Sequence, residues 1–126
     1  MAHYVDGFVL PVPRDRLEEY ESMARAAAEI FKEHGALDYW ECVGDDLNIE
    51  GTRSFLDLVG AADDEAVVFS WVVYASRKAR DAANEKIMAD PRMADLCDPS
   101  KPVFDMKRMA FGGFRSLVHS SSSNAG

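Results

Sequence analysis

Residues 66–75 constrain the fold more than any other segment, because they predict a strand that is apolar on both faces. Alternate residues of a strand point to opposite sides of its sheet. One alternating set holds Val67, Phe69, Trp71 and Val73, and the other holds Val68, Ser70, Val72 and Tyr74. Such a strand must be covered from both sides. We expect the chain's own helices on one side and a second subunit on the other.

The composition is that of one acidic domain. A chain of 126 residues buries about two-thirds of its unfolded surface on folding. It can therefore form a stable core without disulfides or a structural metal. The net charge of −8 argues against a nucleic-acid partner, because phosphate contacts need clustered Lys and Arg. The first residues lack a basic start and no run approaches a membrane span, so we expect a cytoplasmic protein with no membrane partner.

The cysteines and motifs give no reason to expect a metal or a cofactor. Cys42 and Cys97 are far apart, with neither a CxxC pair nor a His cluster beside them. Reduced thiols are therefore expected rather than a disulfide. The chain contains no Ser-His-Asp order, nucleotide loop or dinucleotide fingerprint.

Hydrophobic periodicity predicts strands and helices in alternation along the chain. The strands are predicted at 4–11, 37–44, 66–75 and 107–117, and the helices between Asp15 and Gly35 and at 77–89. Ser76 is placed to cap the second helix, and Pro91 to open a short turn at 92–96. Residues 45–65 predict a long excursion with one short extra strand or helical turn. Gly112 and Gly113 predict a bulge or a close approach in the last strand.

The order strand, helix, strand, strand, helix, strand predicts an α+β, ferredoxin-like fold with an antiparallel sheet in the spatial order 4-1-3-2. Both helices then lie on one face and leave the other bare. A bare face that carries Phe and Trp predicts a homodimer in which two sheets stack. We expect one domain over residues 1–118 and a disordered, Ser-rich tail over 119–126.

Two charges inside apolar strands are the first candidate site residues. Asp6 lies on the first predicted strand and Arg108 on the fourth, which are neighbours in this topology. The two can form a buried pair. The alternative is that Arg108 holds an acidic or enolate oxygen of a ligand.

Glu41 and His34 are the candidate proton acceptors. Glu41 shares a strand face with Tyr39, and a carboxylate against aromatic rings in an apolar cleft can act as a general base. The alternative is an edge-strand acid that faces water. His34, beside Gly35, is either an acid or base at the mouth of a cleft or a cap of its helix.

Asn84 and Trp71 complete the candidate set. An inward Asn84 either binds a ligand or braces a loop backbone. Trp71 packs in the core and the dimer, or forms the wall of a pocket.

A set of short motifs carries a family resemblance. They are Tyr4-Val5-Asp6-Gly7-Phe8, Glu41-Cys42, Asp45-Asp46, Val68-Phe69-Ser70-Trp71, Arg80-Asp81-Ala82-Ala83-Asn84, Asp90-Pro91-Arg92-Met93, Lys107-Arg108-Met109 and Phe111-Gly112-Gly113-Phe114. Together they resemble the YbaA-like family of uncharacterised bacterial proteins, a domain of unknown function, over residues 4–117. The resemblance implies the dimeric α/β barrel superfamily and a homodimer, and it carries over no catalytic residue.

These observations lead to one hypothesis and its alternatives. We expect a homodimer that binds a small organic molecule in the cleft between sheet and helices, and, if it is an enzyme, transforms it without a metal. The similar cofactor-free oxygenases and isomerases of the superfamily suggest this by analogy. Glu41 or His34 would accept a proton and Arg108 would hold an anion, with Asp6, Trp71 and Asn84 in the pocket. The alternatives are a non-catalytic binding or stress-response module and a purely structural dimer.

Overall fold

The computed structural model describes residues 2–98, 100 and 102–122. These residues form the strands β1 (Tyr4–Pro13), β2 (Asp38–Val43), β3 (Glu65–Tyr74) and β4 (Ala110–Arg115), and the helices α1 (Leu17–Glu33), α2 (Phe55–Val59), α3 (Arg77–Ala89) and α4 (Pro91–Leu96). Every strand pairing is antiparallel, and the strand order is β2-β3-β1-β4. The predicted ferredoxin-like α+β fold and its strand order are confirmed.

Local capping explains where several helices begin. The Ser76 hydroxyl accepts a hydrogen bond from the Ala79 amide at 3.0 Å, as predicted, and α3 begins at the next residue. Asp90 caps α4 in the same way, with Pro91 in its first turn. The excursion over 45–65 contains a short helix, α2, which Ser54 caps and which Gly60 ends with a φ of 61°.

The last strand is shorter than predicted. The Asp105 carboxylate accepts a hydrogen bond from the Lys107 amide at 2.9 Å and begins a 3₁₀ turn over Met106–Arg108. β4 therefore starts only at Ala110, and the prediction that Arg108 lies on the fourth strand is wrong.

Gly113 marks a close approach rather than a bulge, because β4 pairs with β1 in unbroken register. A Cβ at Gly113 would lie 2.5 Å from the Tyr4 hydroxyl oxygen and 2.7 Å from Arg80 Nη2. The absence of a side chain at Gly113 thus leaves room for Tyr4 and Arg80 above the sheet.

Helices α1, α3 and α4 cover one face of the sheet and bury most of the core there. Leu10, Val12 and Val68 pack against Tyr20 and Ala24 of α1 in one cluster. Val72 and Tyr74 pack against Ala83 and Ile87 of α3 in a second cluster. The alternating set of β3 that holds Val68, Val72 and Tyr74 therefore faces the chain's own helices.

The other face carries a row of aromatic side chains. Trp40 of β2 stacks on Trp71 of β3 with ring centres 5.5 Å apart, and Phe69 meets Trp71 edge-on at the same distance. Phe55 of α2 packs on the far side of Phe69. Trp40, Phe69 and Phe114 remain 49%, 42% and 63% exposed. We refer to this side of the sheet as the bare face.

Residues 123–126 of the expected disordered tail lie outside the described residues, so that prediction concerns a segment the structure covers only in part. The His119 ring packs edge-on against the His3 ring at 5.6 Å. The domain boundary after residue 118 stays a prediction. Within the described part of the chain, every helix is too short or too polar to cross a membrane.

Candidate functional site

Glu41 is the centre of the candidate site, on the helix-covered side of β2. Its Oε1 atom accepts a hydrogen bond from the Tyr20 hydroxyl at 2.7 Å, and its Oε2 atom accepts one from the Tyr39 hydroxyl at 2.6 Å. Both distances lie within the usual range of O–H···O hydrogen bonds. The carboxylate is therefore satisfied by two neutral donors.

The sequence positions these three side chains through two periodicities. Tyr39 and Glu41 are two residues apart on β2 and so share one face of the strand. Tyr20 lies on the buried stripe of α1, which packs over that face. Phe31 meets the Tyr39 ring edge-on at 5.4 Å, and Phe104 meets the Tyr20 ring at 5.8 Å. Both phenols are thus held in place before any ligand arrives.

Two adjoining cavities open beside this carboxylate. The outer cavity, of about 460 Å³, lies between α1 and β2. The inner cavity, of about 130 Å³, lies between the helices and the sheet and is lined mainly by apolar side chains, among them Met23, Met93 and Met109. Both cavities are lined by Tyr20, Ala24, Tyr39 and Glu41. Glu41 can therefore reach a molecule in either space.

The electrostatics keep both tyrosines as donors. Burial, and then the neighbouring negative charge of Glu41, raises the pKa of Tyr20 and the pKa of Tyr39 far above the ordinary value. Among the described residues, Glu41 forms no ion pair with Lys, Arg or His; Arg25, at the outer cavity, is bonded instead to Glu21 at 2.7 Å.

The expected buried pair of Asp6 with Arg108 is wrong. Arg108 donates to both carboxylate oxygens of Glu65, at 2.7 and 2.8 Å, and to the Gly60 carbonyl at 2.7 Å. These hydrogen bonds lower the pKa of Glu65. The physical reason is the 3₁₀ turn before β4, which carries Arg108 away from the strand that pairs with Asp6.

Asp6 lies instead beneath α3, in a cluster that we call the Asp6 cluster: Asp6, Tyr74, Arg80 and Tyr4. Arg80 Nε is 3.7 Å from Asp6 Oδ1, and Arg80 Nη2 donates to the Tyr4 hydroxyl at 3.1 Å. Within the described residues, Asp6 Oδ1, Arg80 Nε and the Tyr74 hydroxyl are buried without a hydrogen-bond partner. Burial raises the pKa of Asp6 and raises the pKa of Tyr74 to about 12.

The other candidates lie away from Glu41. His34 ends α1, and its Nε2 atom is 2.8 Å from Asp90 Oδ2; hydrogen bonds from Arg92 and then His34 lower the pKa of Asp90. Trp71 lies on the bare face, so it does not line the cleft. Asn84 is half-buried on α3, and among the described lining residues of the two cavities neither Asn84 nor His34 is present.

Sequence reasoning missed Tyr20. It lies at a core position of the α1 stripe, so its pattern is that of a packing residue. The available signal was its hydroxyl, because a buried Tyr usually has a hydrogen-bond partner. Within the described residues, no group of three or more His, Cys, Asp or Glu side chains could hold a metal ion.

Comparison with solved structures defines the class of protein. A NIPSNAP family protein of unknown function from Agrobacterium tumefaciens matches with a TM-score of 0.56 and 12% identity, over 90% of this chain and 87% of its own. A dimeric ferredoxin-like protein from an uncultured marine organism has a TM-score of 0.56 and 13% identity, covering 97% of this chain and 100% of its own. SnoaB of Streptomyces nogalater, a cofactor-independent oxygenase solved as a point mutant, has a TM-score of 0.54 and 15% identity, with 94% of each chain covered. The chain has the ferredoxin-like fold of these proteins.

Sequence comparison then defines the family. The model described as "Protein of unknown function (DUF1428)" matches residues 3–106. The uncharacterised protein YbaA of Escherichia coli K12 and that of Shigella flexneri are each 49% identical over 115 residues, which are 91% of this chain and 97% of the relative. This chain belongs to the DUF1428 family, as the resemblance to YbaA-like proteins implied.

Proposed function

We propose that this protein is a homodimer that binds a small organic molecule in the cleft between the sheet and α1, with Glu41 as the anchor of the ligand. The observation that carries the proposal is a carboxylate with no bound cation among the described residues, held by two tyrosines where two cavities adjoin. An outer cavity of about 460 Å³ is within the usual size of a small-molecule site.

Glu41 has capacity left for a ligand. An ionised carboxylate offers about four acceptor positions. Tyr20 and Tyr39 occupy two of them, one on each oxygen. The remaining positions can accept hydrogen bonds from a molecule in the cavity, and the packed tyrosine rings keep the carboxylate from turning away.

Turnover without a metal is the second candidate function, and the same carboxylate supports it. A positioned Glu can take a proton from a ligand when burial and neighbours suit the pKa to the task. SnoaB is described as a cofactor-independent oxygenase, which supports metal-free chemistry on this fold by analogy. Binding of a ligand at Glu41 does not require turnover.

The homodimer is supported by the bare face. Trp40, Phe69 and Phe114 leave large aromatic rings in water, and a monomer rarely exposes a contiguous patch of this kind. A second copy stacked sheet to sheet would cover it with a two-fold, self-complementary interface. One neighbour in fold is described as dimeric.

The free thiols Cys42 and Cys97 support a reducing compartment, the cytoplasm.

A native mass spectrum of gently purified protein tests both parts. We expect a dimer with extra mass in the wild type and in the control Glu29→Gln, which alters an exposed acid of α1 outside the lining of both cavities. We expect the extra mass to be lost in Glu41→Gln. A clean dimer from all three proteins would favour a purely structural dimer instead.

A substitution on the bare face tests the dimer separately. Phe69→Arg places a charge at the centre of the proposed interface and should give a monomer at micromolar concentration, measured by light scattering after gel filtration. The matched control is Met88→Arg, because Met88 is an apolar residue that is 85% exposed on α3, on the other side of the sheet. A monomeric wild type would contradict the dimer.

A further inference from the structure

We infer that the Glu41 site takes a molecule with an apolar body and a neutral or cationic hydrogen-bond donor, a hydroxyl or an amine, and discriminates against carboxylates and phosphates. This inference rests on the proposed function and names the ligand class of that same site. It follows from the two neutral phenols bonded to Glu41, from the pairing of the nearby Arg25 with Glu21, and from the apolar lining of the inner cavity.

The charge at the site is that of Glu41. Tyr20 and Tyr39 donate to Glu41 as neutral phenols, so they orient its negative charge without cancelling it. A ligand anion near this carboxylate would meet like charge in a partly buried space, where screening by water is weak. A ligand O–H or N–H meets an acceptor that is already positioned.

A cation lies at the rim of the outer cavity. Arg25 is the basic residue among the described residues that line the outer cavity. It stands four residues from Glu21 on α1, and the two side chains are bonded at 2.7 Å on the exposed surface. The contact of Arg25 is thus with Glu21 and not with Glu41.

The inner cavity offers space for an apolar group. The inner cavity adjoins Glu41 and is lined largely by apolar side chains, including Phe8, Phe31 and Phe104. Met23 and Met93 in the same lining can adjust to different apolar shapes. A ligand that places its donor on Glu41 can direct an apolar end into this cavity.

The test uses a matched pair of probes, 2-naphthol and 2-naphthoate, and isothermal titration at neutral pH. They share one aromatic body, and one carries a neutral O–H where the other carries a carboxylate. We expect the wild type to bind 2-naphthol at least about tenfold more tightly than 2-naphthoate. This comparison within the wild-type protein needs no variant to fold.

Two variants assign the discrimination to Glu41. Glu41→Gln keeps the shape of the side chain and removes its charge, so the tenfold preference should shrink toward unity. Glu29→Gln removes an equal charge from the exposed side of α1, outside the lining of both cavities, and should keep the preference, which separates the site from the overall acidity of the chain.

The outcomes separate the inference from the proposed function. Equal or tighter binding of 2-naphthoate would overturn the ligand class and leave the binding function standing. An anionic molecule identified in the native mass spectrum would do the same. Failure of both probes to bind, together with a clean native spectrum, would overturn the proposed function and this inference with it.

Discussion

Two carboxylates on the helix-covered side of the sheet have opposite surroundings. Glu41, on the edge strand β2, is half-buried, accepts two short hydrogen bonds from tyrosines and adjoins two cavities. Asp6, on the inner strand β1, is 2% exposed, and the Nε atom of its cation partner Arg80 is 3.7 Å away. The neutral donors and the adjoining cavities make Glu41 a candidate for ligand binding. The nearby cation and the full burial of Asp6 are typical of a structural residue.

The difference shows that the partners of a carboxylate indicate whether it serves the fold or a binding site. A buried charge is costly, and an ion pair that is not also well hydrogen-bonded repays little of that cost. Asp6 carries this cost: burial raises its pKa more than the Arg80 charge lowers it. Glu41 carries less of this cost because it remains partly open and accepts two hydrogen bonds.

The largest expected effect is at Arg80. Arg80→Ala leaves Asp6 buried without its cation, and we expect it to lower the free energy of unfolding by about 3 kcal/mol. Urea denaturation measures this. Arg77→Ala, on the exposed side of the same helix, should change stability by no more than about 0.5 kcal/mol. Equal effects of the two variants would show that Arg80 does not support Asp6.

The next effect compares the tyrosines of the two regions. Tyr20→Phe removes a hydrogen bond to Glu41 and should cost about 1–2 kcal/mol of unfolding free energy. Tyr74→Phe removes a buried hydroxyl that has no hydrogen-bond partner among the described residues, so it should be neutral or slightly stabilising.

Thermal and urea unfolding of both tyrosine variants provide the measurement. A cost at Tyr74 as large as that at Tyr20 would mean that the Tyr74 hydroxyl is bonded in solution. The contrast between the two carboxylate environments would then be smaller than their contacts indicate.

The smallest expected effect is a pH dependence of the free energy of unfolding that arises from Asp6. Its pKa is raised in the folded protein above the ordinary 3.8, so the folded state binds this proton more tightly than the unfolded state. The stability from this group is fully present below pH 3.8 and is lost as the pH rises through the raised value. Asp6→Asn should therefore gain stability relative to the wild type as the pH rises from about 4 toward neutrality.

The measurement is the urea midpoint of wild type and Asp6→Asn at several pH values. A difference that stays constant across this range would show that Asp6 has the same pKa folded and unfolded. Asn retains the size of Asp, so packing is closely matched in the two proteins.

Local patterns determine much of the fold. The sequence predicts the limits of α3 from Ser76 and from the apolar spacing, since both signals act within one or two turns of the chain. The strand order follows from the order of elements. The predicted start of β4 is wrong because a single carboxylate, Asp105, forms a 3₁₀ turn inside an otherwise strand-like run.

The candidate site is predictable only in part. Glu41 and Tyr39 are expected on one face because strand residues two apart always share a face. Tyr20 enters the site through the packing of α1 on β2, at a separation of 21 residues from Glu41. Arg80 replaces Arg108 as the partner of Asp6 because α3 packs over β1, an arrangement that no local spacing encodes.

By itself, the sequence determined the α+β architecture, the apolar character of both faces of β3 and the family, because these depend on periodicity and on local motifs. Only the tertiary structure decided which donors meet Glu41, which cation lies near Asp6 and that Trp71 faces away from the cleft. The physical reason is range: hydrogen bonds and ion pairs act over a few ångströms, and packing alone brings distant residues that close.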